Sequence, residues 1–202
     1  MRTSVAIAFA VAALLLADSP ARAQTWEASG LVGFTPSAAI DKQAPELSDV
    51  DIRSGFTWGL QGARFFTPSW GAELLWTQQG SALQIGTADG TADLFTMTVR
   101  QLHGNAVYRF GGAGTTWQPF VFGGLGATFF SADTIESETK WSMGAGAGLK
   151  YFTSGAVGAR AHFRYKPSFL NDGSSEDFCD PFGFCQGTLG QIEFASAVVV
   201  RF

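Results

Sequence analysis

The chain has 202 residues, with 13 Lys and Arg against 17 Asp and Glu for a net charge of −4, together with 25 Gly, 19 Phe and two Cys. An acidic chain with no basic run excludes nucleic acid as a partner, because neutralising phosphates needs clustered Lys and Arg. No repeat, linker or low-complexity tract divides the sequence, so one domain is expected.

Residues 1–23 have the pattern of a secretory signal peptide. Arg2 supplies the positive start, 5–17 is an unbroken apolar run, and Ala21-Arg22-Ala23 is a small-x-small cleavage site before Gln24. The run is shorter than the ~20 residues a spanning helix needs. No later stretch is longer, so any membrane crossing by the mature domain, 24–202, falls to strands. Removing the signal leaves 11 basic and 16 acidic residues.

Segments at 25–35, 53–66, 70–84, 94–110, 117–131, 139–152, 155–167 and 189–202 predict eight strands. In the third, Trp70, Ala72, Leu74 and Trp76 alternate with Gly71, Glu73, Leu75 and Thr77. The fourth reads as shifting phase near Arg100, as at a bulge. The fifth is apolar on both faces and has no legible orientation. In the sixth, Trp141, Met143, Ala145, Ala147, Leu149 and Tyr151 alternate with Lys140, Ser142, three glycines and Lys150. In the seventh, Val157, Ala159, Ala161, Phe163 and Tyr165 alternate with Gly158, Arg160, His162, Arg164 and Lys166. The last places Ile192, Phe194, Val198, Val200 and Phe202 on one face, with Glu193 and Arg201 on the other. Connections at 67–69, 111–116 and 153–154 are short and rich in turn residues. Those at 36–52, 85–93, 132–138 and 168–188 read as longer and polar.

A terminal strand ending on Phe202, the segments 102–110 and 118–126, and aromatics near strand ends resemble the small eight-stranded bacterial outer-membrane β-barrel domain family, the OmpA/OmpX-like barrels. The resemblance covers 24–202. It implies an all-β, eight-stranded antiparallel transmembrane barrel of up-and-down topology, in the outer membrane, with both termini periplasmic. It also implies that Phe202 is the insertion signal read by the barrel-insertion machinery.

A charge on the lipid face costs about 2–4 kcal/mol at mid-bilayer for Arg or Lys. The strand charges Glu27, Glu73, Lys150, Arg160, Arg164 and Glu193, with His162 and Arg109, are therefore expected inside the barrel. An eight-stranded barrel is just wide enough for side chains to fill, so the three Glu are expected to pair with Arg160, Arg164 and their neighbours and plug the lumen. Thirteen acidic residues fall in or beside the long connections, among them Asp41, Glu46, Asp49, Asp51, Asp89 and Asp180. They read as a solvated surface, or as weak ligands for divalent cations bridging lipid phosphates. Cys179 and Cys185 are expected to form a local disulfide in an exported chain; no His or third thiol accompanies them, so no metal site is expected.

Three function classes follow. A structural barrel, or one binding an extracellular ligand through 36–52 and 168–188, is the first. A narrow channel for small or hydrophobic solutes is the second. A lipid-modifying enzyme is the third and least supported, since His103 and His162 lack an outward His-Ser motif; His162 beside Glu193 is a candidate dyad or a core hydrogen bond. No cofactor is expected.

Overall fold

The computed structural model describes residues 26–36, 38–42, 50–87, 90–112, 114–132, 135–153, 155–169 and 187–202. The expected signal segment 1–23, the expected Cys179–Cys185 disulfide and most of 168–188 lie outside them. Ten strands form one antiparallel sheet: β1 (Trp26–Thr35), β2 (Ala38–Lys42), β3 (Val50–Ile52), β4 (Gly55–Phe65), β5 (Trp70–Thr87), β6 (Gly90–Arg109), β7 (Trp117–Ala132), β8 (Ile135–Phe152), β9 (Val157–Phe169) and β10 (Gly187–Arg201). β1 pairs with both β4 and β10, so the sheet closes on itself.

The ten strands make eight staves. Ala38 faces Ile52 in the same register as Thr35 faces Gly55, so β1–β2 and β3–β4 are two staves, each interrupted once. At the closing seam, Trp26 and Phe202 exchange both backbone hydrogen bonds, at 3.1 and 3.0 Å. Closure leaves no edge strand, which a sheet in lipid requires.

Inward and outward side chains alternate along the described parts of the staves, most regularly in β1, β4, β9 and β10. Even-numbered residues of β4 are outward and odd-numbered ones buried; β10 repeats the pattern. The outward face is apolar, with exposed Phe34, Leu74, Leu125, Met143, Phe163 and Val198. Aromatic pairs ring the short-turn end: Trp70 with Tyr108, ring centres 4.9 Å apart, and Trp117 with Tyr151 at 4.5 Å. Trp58 and Trp76, 5.0 Å apart, sit nearer the other end. Such rings favour the headgroup layers on either side of hydrocarbon.

Two expectations are corrected. Residues 85–93 and 132–138 are mostly strand, not long loops: Thr87 faces Gly90, and Ala132 faces Ile135. Polar residues there do not oppose pairing, because above the lipid both faces of a hairpin meet water. The bulge expected near Arg100 is absent, and the β6–β7 register runs unbroken through it. The irregularity lies at Leu83/Gln84, opposite Phe95 and Asp93. The fifth predicted strand, β7, is now oriented: Gln118, Phe120, Phe122, Thr128 and Phe130 point inward.

At the short-turn end, Gly111 and Gly112 adopt φ of 79° and 76°, a left-handed pair that bends β6 into β7. Inside, glycine makes room. A Cβ on Gly148 would lie 2.4 Å from the Ala161 carbonyl oxygen and 2.6 Å from the Phe120 ring. Gly104, outward, has open space. Gly148→Val should therefore destabilise the folded barrel by about 1–3 kcal/mol, while Gly104→Ala should leave it unchanged. Heat-dependent gel mobility after refolding into detergent reads both outcomes.

Candidate functional site: the charged lumen

The lumen is where the strand charges converge, in three layers. Nearest the short turns, Glu27 on β1 accepts from Arg109 Nη1 on β6 at 3.1 Å and from Lys150 Nζ on β8. These strands are not neighbours of β1, so the pairs cross the lumen. Arg109 also donates to the Pro68 carbonyl through Nε and Nη2, at 3.2 and 3.0 Å. Its guanidinium carbon lies 3.9 Å from the Phe65 ring centre.

The middle layer is centred on Glu73 of β5. Arg160 Nη1 of β9 donates to it at 2.8 Å across the lumen, and Gln61 and Asn105 donate from the adjoining strands at 2.7 and 3.1 Å. Arg160 lies over Phe120, 4.3 Å from the ring centre. Phe65, Phe120 and Phe122, with Ala63 and Val107, form an apolar cluster through which the basic stems thread.

The layer furthest from the short turns is centred on Glu193 of β10. Arg164 Nη2 and Lys166 Nζ donate to its Oε2 at 3.2 and 2.9 Å. Arg164 Nη2 also donates to Gln101 across the lumen at 3.3 Å. Ser142 Oγ and His103 Nε2 are hydrogen-bonded at 3.1 Å, and Thr128 Oγ1 and Ser168 Oγ at 3.2 Å.

Glu27, Glu73, Lys150, Arg160, His162, Arg164 and Glu193 are thus all buried within the barrel, and all but His162 are joined by ion pairs. The partners differ in part from those expected. Glu27 takes Arg109 and Lys150, not a β9 arginine, and Lys166 joins Glu193. Lys166 carried a signal in the strict alternation of β9. His162 makes no hydrogen bond to Glu193; neither ring nitrogen has a partner among the described residues. Its ring instead stands edge-on to Phe122, with centres 5.6 Å apart. The proposed dyad is therefore not assembled, and no group of three metal-ligating residues occurs among the described residues.

Among the described residues buried bases outnumber buried acids. Arg109, Lys140, Lys150, Arg160, Arg164 and Lys166 share the interior with Glu27, Glu73 and Glu193. Both amide atoms of Gln79 and of Gln191 lack a protein partner among the described residues. Buried groups of this kind need water to satisfy them.

The family model described as outer membrane protein beta-barrel domain matches residues 7–180. The chain belongs to that family. Membership puts this barrel in the outer membrane. The chain is similar in structure to OprG of Pseudomonas aeruginosa, with 14% identity, 90% of this chain and 97% of that chain covered, and a TM-score of 0.64. It is also similar to Neisserial surface protein A, with 13% identity, 88% and 96% covered, and a TM-score of 0.60. The N-terminal barrel domain of Pseudomonas aeruginosa OprF gives 16% identity, 89% and 98% covered, and a TM-score of 0.53. At these identities the likeness is one of fold. No curated protein sequence matches the chain.

Removing one partner of a buried pair leaves an uncompensated charge, which costs about 3–5 kcal/mol, whereas an apolar pair of similar volume is close to neutral. Glu73→Leu should therefore destabilise the outer-membrane barrel by about that amount. The double variant E73L/R160M should recover most of the loss. Urea unfolding in lipid vesicles, followed by tryptophan fluorescence, measures both.

Proposed function

We propose that this outer-membrane barrel is a non-enzymatic, plugged wall protein whose role is structural or lies in contacts made by the strand ends and connections opposite the short turns. The supporting observation is the set of ion pairs spanning the lumen, Glu27 to Arg109 and Lys150 and Glu73 to Arg160. The phenyl rings of Phe65, Phe120 and Phe122 are buried beside them in the short-turn half of the cylinder. Charged pairs with good geometry resist separation in a low-dielectric interior, so an ion entering from either side meets a locked cross-section. Both termini lie at the short-turn end, which this reading takes as periplasmic. Phe202, exposed and outward, serves as the insertion signal, and any extracellular ligand would meet 36–52 and 168–188.

A second reading, a narrow water-filled channel, draws on Gln79, Gln191 and His162, whose polar atoms lack protein partners among the described residues. It requires the Glu27 and Glu73 layers to open. Planar-bilayer recording separates the two. The native protein should show no steady open state, and the triple variant E27A/E73A/E193A should conduct. Steady conductance by the native protein at neutral pH would overturn the plugged reading in favour of the channel.

Orientation has its own test. A membrane-impermeant maleimide added to intact cells should label Thr87→Cys and spare Thr115→Cys, which sits in an exposed short turn. The reverse pattern would invert the barrel.

A further inference from the structure

The lipid-facing surface of β1, β4, β5 and β10 is not smooth. A groove of about 1020 Å³ runs along it, apolar over nearly its whole lining. Its floor is made by four small outward residues, Ala28, Gly30, Gly62 and Ala72. Register explains the shape. Gly30 lies between Leu60 and Val198, and Gly62 between Ala28 and Leu74, so Leu60, Val198 and Leu74 stand as walls beside positions with little or no side chain. A Cβ built on Gly30 or Gly62 meets nothing within 4 Å.

At the short-turn end of the groove stands Arg64. It faces outward, opposite Trp26 and Ala72. Its guanidinium carbon lies 5.1 Å from the Trp26 ring centre and 5.7 Å from that of Phe66. Among the described residues no carboxylate pairs with it. Among strand residues whose burial is described, Arg64 and Arg100 are the charged ones that face outward, and Arg100 donates to Gln78 at 3.1 Å. Arg64 is therefore a cation held by two rings at headgroup depth, with its charge left for something outside the chain.

Lipid tails give no net hydrophobic drive toward a groove already in lipid, so selectivity must come from shape and charge. The groove supplies shape for acyl chains, and Arg64 supplies a donor fork matched to a phosphate. We propose that this surface binds one anionic phospholipid, with its chains along the Gly30–Gly62 floor and its phosphate on Arg64. Arg64 lies at the same end as the chain termini and short turns, so the lipid comes from the leaflet on that side.

The test uses the full mature barrel, delipidated in detergent, incubated with phosphatidylglycerol, phosphatidylcholine or lipopolysaccharide, and read by native mass spectrometry. One phosphatidylglycerol should be retained, about fivefold or more over phosphatidylcholine. Arg64→Gln should abolish that preference, and Arg64→Lys should keep part of it. Gly62→Leu, at a position where an added Cβ meets nothing within 4 Å, should lower retention of both phospholipids. Heat-dependent gel mobility verifies that each variant is folded. Equal retention of the two phospholipids, unchanged preference in Arg64→Gln, or selective retention of lipopolysaccharide would each overturn the proposal.

Discussion

Hydrocarbon offers no hydrogen-bonding partner, so every backbone amide and carbonyl that crosses it must be satisfied by the chain itself. This chain meets that demand by pairing β1 with β10 from Glu27–Arg201 to Phe34–Phe194, with the Trp26–Phe202 exchange beneath. Closure then sorts the side chains. With no edge left and one face in lipid, an ionised group at mid-membrane depth has only the interior to occupy, and needs a partner there; Arg64 and Arg100 are the outward exceptions among the described strand residues. The ion-pair layers follow from the closed ladder, not the reverse.

The interior reconciles two demands that pull apart. Long basic side chains must cross the cylinder to reach Glu27 and Glu73, yet their methylene stems need apolar surroundings. Phe65, Phe120 and Phe122 provide them, and their ring faces also attract the guanidinium and ammonium groups. The inward glycines of β8 make room for these rings, since the Cβ positions of Gly146 and Gly148 are taken up by Phe122 and Phe120. Glycine on one stave and phenylalanine on the next are thus a single packing unit.

Much of this was legible in the sequence. Arg160, His162, Arg164 and Lys166 alternate strictly with Ala159, Ala161, Phe163 and Tyr165, and a two-residue period leaves one assignment of faces. The orientation of β7 was not legible, because Phe120 and Phe122 are as apolar as Val121 and Leu125; what turns the phenylalanines inward is the chemistry of bases on other staves. Partner identity was also hidden. Lys150 is 123 residues from Glu27, and only the stagger of the closed barrel brings them level. The strand tips at 85–93 and 132–138 looked like loops because alternation is enforced only where one face meets lipid.

Those tips alter what the molecule is above the bilayer. A strand of 20 residues such as β6, at about 3.3 Å per residue and a tilt near 40°, stands roughly 50 Å tall, against an apolar band of about 25 Å. With only residues 88–89 and 133–134 between strands, the surplus height is built as paired ribbon. Contacts made there occur at a set stand-off from the lipid headgroups, and a partner that docks on such a parapet forfeits little of the chain entropy that capture by a slack tether would cost.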